Sequence, residues 1–163
     1  MISIQFDVNK EKSIEVILYI ATRVKNPTLH TIFKIMYFAD KLHISKYGRF
    51  ITGDSYIAME YGPVPGAAYD ITKEPPPDDI KVSGYHLVPL RSAKEDEFSE
   101  SDLECLNQAI SEHGNKSFGQ LTDESHDEAW HIAPENGVMT VESIVMMLPD
   151  SDDLLAFLKN QHP

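Results

Sequence analysis

Apolar side chains recur at helical spacing through the first part of the 163-residue chain. Between residues 9 and 25 they fall at Ile14, Ile17, Leu18 and Ala21, the i, i+3, i+4, i+7 stripe of an amphipathic helix. Asn26-Pro27 closes that helix, because proline disfavours α geometry in the residue before it. Thr28 then offers an N-cap for a second helix reaching about Lys46, with a stripe of Leu29, Ile32, Phe33, Met36, Ala39 and Leu42. Gly48 follows as its left-handed stop. A third, shorter helix is expected from Pro65 to Lys73, with proline in the first turn where no amide bond is lost.

The period then changes. Glu74 to Asp79, with three consecutive prolines, reads as a stiff extended connector. Ile80-Lys81-Val82 and Tyr85-His86-Leu87-Val88 flank Ser83-Gly84, a two-residue hairpin signal, and Pro89 ends the second strand or puts it at an edge. Ser99 with Asp102 is a capping-box start for a helix to His113-Gly114, burying Leu103, Leu106, Ala109 and Ile110. Ser117 with Gln120 repeats the signature for a helix to about Ile132. A turn at Pro134-Glu135-Asn136-Gly137 precedes two short helices near 140–147 and 150–160. The expected class is α+β, mainly helical, a compact domain over 1–163 with one small central β-hairpin.

At this length a single domain buries roughly 68–70% of its unfolded surface and needs no staple. No apolar run approaches the roughly 20 residues of a membrane span. The N-terminus lacks a basic then apolar leader, and one cysteine, Cys105, cannot form an internal disulfide; a cytoplasmic setting is expected. The formal charge of −12 is uneven. Residues 94–128 hold eleven acids against two lysines, a net of −9, whereas residues 1–60 hold eight Lys/Arg against six acids, a net of +2. The acidic half disfavours direct nucleic-acid binding and suits a basic protein partner, although such runs also serve simply as solvated helix faces.

Phosphate loops, dinucleotide glycines, HExxH and paired CxxC are all missing. In GDSYIAMEYGPVPG, Pro63 and Pro65 remove two amides that an anion nest would need, so Gly53-Asp54 reads as a tight turn and Gly62-Pro63-Val64-Pro65 as a rigid corner. Asp40, His43 and Tyr47 share one helix face, and a second Asp-x-x-His occurs at Asp123 and His126, four residues before Trp130. These residues read as a buried polar network, with a metal-dependent enzyme built on Asp40, His43, Asp123 and His126 as the alternative. Cys105, without a basic neighbour, reads as a structural thiol. Five tyrosines, Tyr37, Tyr47, Tyr56, Tyr61 and Tyr69, crowd into 33 residues and suit both packing and interface anchoring.

Two long stretches, FKIMYFADKLHISKYGRFITGDSYIAMEYGPVPGAAYD and FSESDLECLNQAISEHGNKSFGQLTDESHDEAW, resemble the Panacea domain, or SocA-like antitoxin, family. The resembling pattern is Phe38, Asp40, His43, Tyr47, Gly48 and Arg49, then Ile51 to Asp54 with Tyr56, then Tyr61 to Pro65, and later Ser125-His126 and Ala129-Trp130; it spans about residues 10–132. The resemblance implies an antitoxin-type role without enzymatic activity or cofactor. Members neutralise a protein toxin encoded next to them by direct binding, and one branch delivers its toxin to a protease as an adapter. Relatives with a fused DNA-binding segment exist; the early first helix and acidic charge here predict none. The residues expected to contact the partner are Tyr47, Arg49, Asp54, Tyr56, Tyr61, Pro63 and Pro65.

Overall fold

The computed structural model describes residues 4–73 and 75–162. Its first helix, α1, runs Lys10–Ala21, capped by Asn9, whose side chain accepts from the Lys12 amide at 3.0 Å. It stops four residues earlier than the apolar spacing predicts: the Thr22 hydroxyl donates back to the Leu18 carbonyl at 3.0 Å and the chain turns out toward Pro27. Such back-bonding offers the backbone an alternative to continuing the helix.

The second helix, α2 (Leu29–Tyr47), is the axis of the molecule. Thr28 caps it through the Thr31 amide, and Gly48 ends it at φ +76°, a conformation glycine adopts without a Cβ penalty. Every residue from Thr31 to Asp40 is buried. A helix covered on all sides carries no true polar face, which explains why Lys34 and Asp40 sit inside.

Residues 62–65, expected as a rigid corner, form a strand that pairs with residues 56–59 in a β-hairpin. Strands β1 (Tyr56–Met59) and β2 (Gly62–Pro65) pair antiparallel, Tyr56 opposite Pro65 and Met59 opposite Gly62. A two-residue strand, β5 (Val138–Met139), pairs with the other side of β1, giving the order β2-β1-β5. The two prolines hid this hairpin in the sequence. They are tolerated because β2 is an edge strand of the sheet, where a missing donor breaks no second ladder. From Pro65 the chain passes directly into α3 (Gly66–Thr72).

The hairpin expected after the proline connector is present as β3 (Ile80–Ser83) and β4 (His86–Pro89), with Ser83 opposite His86. Its turn is therefore Gly84-Tyr85, one residue later than the Ser83-Gly84 spacing suggests. Ile80 and Leu87 point into the core. The outer edge of β4 is stitched to the segment before α2: the Leu29 amide donates to Tyr85 O at 2.8 Å and the Leu87 amide to Pro27 O at 2.9 Å.

Helix α4 (Glu100–His113) opens with the expected Ser99–Asp102 capping box and lies along α2, burying Cys105, Leu106 and Ala109. The single helix expected from Ser117 to Ile132 is two, α5 (Phe118–Ser125) and α6 (Glu128–Ile132). The break falls at His126-Asp127 because Asp127 turns its carboxylate to the Trp130 amide, 3.0 Å away, and starts a new helix. Two final helices, α7 (Val141–Met146) and α8 (Ser151–Gln161), close the domain, with Phe157 of α8 lying over Gly48. The α+β, mainly helical class expected from the sequence is the class observed, with a second small sheet beside the expected hairpin.

Candidate functional site

The residues singled out in the sequence sort to the two ends of α2. At its C-terminal end, Asp40 accepts from the Ile51 amide at 2.7 Å and from the Tyr56 hydroxyl at 2.5 Å. Burial pushes this carboxyl up to about 7 despite both donors. One turn on, the His43 ring is clamped between Arg49 O, 2.8 Å from Nδ1, and Ser101 Oγ, 2.9 Å from Nε2; burial lowers its pKa. Asp54 is a helix cap, accepting from the amides of Ser55, Ala67 and Ala68 at 2.8–3.0 Å. Burial still raises its pKa.

Asp102, read in the sequence only as a capping-box residue, is the hub of this end. Lys12 Nζ lies 2.7 Å away, Arg49 Nη2 3.0 Å, and the Ser99 amide 2.9 Å. Burial alone would raise this carboxyl, but the Lys12 ammonium leads a set of donors that hold it below the ordinary value. The hub joins α1, the loop after α2, and α4. Its partners are 90 and 53 positions distant in the chain, so no local pattern could have marked it.

Four of the seven residues expected at the partner surface are buried in the chain's own fold: Asp54, Tyr56, Pro63 and Pro65. Their work is holding the β1–β2 hairpin and the start of α3. The other three reach solvent but not together. Tyr47 is 46% exposed, its hydroxyl donating to Glu104 Oε1 at 2.7 Å, and Arg49 lies partly exposed beside it over Asp102. Tyr61, 51% exposed, belongs to the opposite end of α2 and meets Phe118 edge-on, ring centres 5.1 Å apart.

The N-terminal end of α2 carries a second constellation. Lys34 is buried, its ammonium donating to Pro63 O at 3.1 Å, and burial pushes its pKa down to about 7. His126 stacks on Trp130 at 3.7 Å, with Nε2 3.1 Å from Glu60 O, while the Trp130 indole donates to Met59 O at 2.8 Å; together they grip the β1–β2 turn. Asp123, expected to share that network, is exposed and makes no hydrogen bond or ion pair among the described residues. The carboxylate engaged there is Asp127, which accepts from the Tyr37 hydroxyl at 2.6 Å and from Lys41 at 3.1 Å. The Asp-x-x-His spacing failed because His126 stands at the helix break, outside the periodicity that the spacing assumes.

The alternative of an Asp/His metal site loses its geometry here, since Asp40 and His43 point into separate protein contacts and Asp123 into solvent. Among the described residues no group of three or more His, Cys, Asp or Glu side chains is placed to hold a metal ion. The Cys105 thiol is fully buried and pushed up to about 11 by that burial, which makes it a poor nucleophile. No described helix is long and apolar enough to cross a membrane.

The class so defined is an α+β domain whose buried acids and histidines hold its own segments in register, with exposed aromatic rings at both ends of a covered helix. The family model described as antitoxin SocA-like, Panacea domain, matches residues 32–131, more than half of the chain, and the chain belongs to that family. The match runs from the first turns of α2 to α6 and includes the Asp40, His43, Asp54 and Asp102 sites. No curated protein and no solved structure matches the chain. An antitoxin-type role is the role this family carries.

Proposed function

We propose that the protein is a binding module that neutralises a protein toxin encoded next to it by direct contact, in the cytoplasm and without catalysis of its own. Family membership over residues 32–131 is the observation that carries this reading. The contact surface is the C-terminal end of α2, where Tyr47 stands exposed against Glu104, with Glu100 one turn earlier on α4. An exposed tyrosine with acidic neighbours on α4 suits a basic partner, the ring providing area at low entropy cost and Glu100 steering encounter. Much of the acidic stretch is neutralised internally, Asp102 by Lys12 and Arg49, Glu104 by Lys46, Glu124 by Lys116 and Asp127 by Lys41, which narrows the field to acids such as Glu100 that make no ion pair among the described residues.

Co-expression with the product of the adjacent reading frame tests the reading. The expected result is growth arrest by the neighbour alone, rescue by this chain, and a complex that co-purifies. Tyr47→Ala and the double reversal Glu100→Lys, Glu104→Lys weaken the complex roughly tenfold or more each while leaving the melting temperature within a few degrees. A harmless neighbour with no complex removes the antitoxin reading. A complex untouched by these variants keeps it and moves the surface elsewhere.

A further inference from the structure

The first turn of α2, the Gly84-Tyr85 turn and the start of α5 enclose a cleft of about 950 Å³. That is the size of a small-molecule site rather than a flat contact face. Three aromatic rings stand open on its walls: Tyr61, Tyr85 and Phe118, exposed to 51%, 82% and 53%. Phe118 is backed by His30, stacked at 3.9 Å, so the aromatic wall is rigid. Burial pushes that imidazole down to about 4, leaving it an uncharged flat surface at neutral pH.

The charge of the cleft is opposite to that of the molecule. In a chain of net −12, the charged side chains lining it are Lys25 and Lys116, and no carboxylate joins them. Lys116 is held by both oxygens of Glu124 at 2.8 Å, whereas Lys25 makes no ion pair among the described residues. Lys34 lies one turn beyond His30, packed behind the Tyr61-Gly62 turn and bonded only to a carbonyl, so a nearby anion would favour its charged form. A strand-like peptide has no ladder to join on this side, because the outer edge of β4 is already paired with residues 27–29.

We infer that this cleft binds a nucleoside phosphate, the base stacking on the Tyr85, Tyr61 and Phe118 rings and the phosphate drawn to Lys25 in the turn between α1 and α2. Base–aromatic stacking tolerates any base, and no carboxylate lines the cleft, the nearby Glu124 being taken up by Lys116. The site is separate from the Tyr47 surface and stands or falls independently of the antitoxin reading.

Titration of the ¹⁵N-labelled full chain with AMP, ATP and GTP, followed by amide chemical shifts, tests the inference. Saturable shifts confined to residues 25–31, 84–86 and 114–119 are expected, with ATP binding more tightly than AMP. Tyr85→Ala, at an exposed turn position, weakens binding by at least about fivefold, the low end of what one base stack contributes. Lys25→Glu, fully outside the core, weakens ATP more than AMP and serves if the tyrosine variant misfolds. Absent or scattered shifts at millimolar nucleotide overturn the inference. So does equal binding of tripolyphosphate alone, an unchanged affinity in both variants, or binding of a single-stranded oligonucleotide with none of the mononucleotides.

Discussion

Replacing Lys34 with methionine stabilises this protein at neutral pH, although it deletes a buried hydrogen bond. Lys34 is 1% exposed, and the one partner of its ammonium is the neutral carbonyl of Pro63. Burial brings its pKa from 10.5 to about 7. That gap corresponds to roughly 5 kcal/mol of stability withheld whenever the unfolded chain carries the proton and the folded chain resists it. The sign follows from proton uptake. Between pH 7 and 10.5 the unfolded state binds the proton and the native state does not, so stability rises with pH across that window; as pH falls through 7 the full penalty is present. Lys34→Met removes the penalty, keeps the stem volume, and leaves Pro63 O without its partner at a cost of about 1–3 kcal/mol. The net expectation is a gain of about 2–4 kcal/mol at pH 6.5, turning into a loss of about 1–3 kcal/mol near pH 10.5, where only the lost hydrogen bond remains. Urea denaturation of both proteins at several pH values between 6 and 10.5 reads the difference, in which groups common to both cancel. A variant that is less stable at pH 6.5, with a pH-independent difference, would refute the reasoning.

Asp40 makes the mirror prediction: its native pKa of about 7 against an ordinary 3.8 means stability falls as pH rises from 4 to 7, by on the order of 4 kcal/mol, and Asp40→Asn abolishes that slope in paired denaturation curves. Equal slopes in wild type and variant would return the carboxyl to an ordinary value. Asp102→Ala strands Lys12 and Arg49 at a junction of three segments and costs about 2–4 kcal/mol, discounted for the partial exposure of Arg49, whereas a loss below about 1 kcal/mol would demote the hub to a helix cap. Gly62→Ala places a Cβ against Ser125 Oγ and Lys34 Cε at φ +120° and destabilises by about 1–3 kcal/mol; an unchanged thermal midpoint would mean the turn relaxes freely.

How far the sequence could be read depended on the range of the interaction concerned. Caps are local, and Thr28, Gly48, Ser99 and Ser117 all stand where their signatures put them. The β1–β2 hairpin was hidden because its stabilising partners are non-local: the Pro63 carbonyl is bonded by Lys34, 29 positions earlier, and Tyr56 is held by Asp40, 16 positions earlier. A proline at every second residue argues against a strand unless an edge position is known, and edges are a property of topology. The same blindness produced the expected contact surface. Asp54, Tyr56, Pro63 and Pro65 read as a shaped corner, and the shape is real, but its cause is internal capping and pairing. Asp123 and Asp127 show the limit from the other side, since one broken turn moves the working carboxylate by four positions.

The two buried charges of α2 explain why that hairpin is held so firmly and why the ends of the helix act separately. Asp40 fixes Tyr56 at the start of β1, and Lys34 fixes Pro63 in β2, so one rigid helix grips both strands. The two groups titrate in adjacent windows, Asp40 lowering stability as pH climbs to 7 and Lys34 restoring it above 7. Their joint effect is a stability minimum near neutral pH, with each single variant exposing one limb alone. The two proposed binding sites lie only at the ends of this arrangement. His30 and Tyr47 are 17 residues apart on α2, roughly 25 Å at 1.5 Å per residue, too far for one small ligand to bridge. A nucleotide in the aromatic cleft and a protein at Tyr47 would therefore touch different ends of the same covered helix. Between those ends lie Lys34 and Asp40, whose bonds to Pro63 and Tyr56 hold the β1–β2 hairpin against the helix.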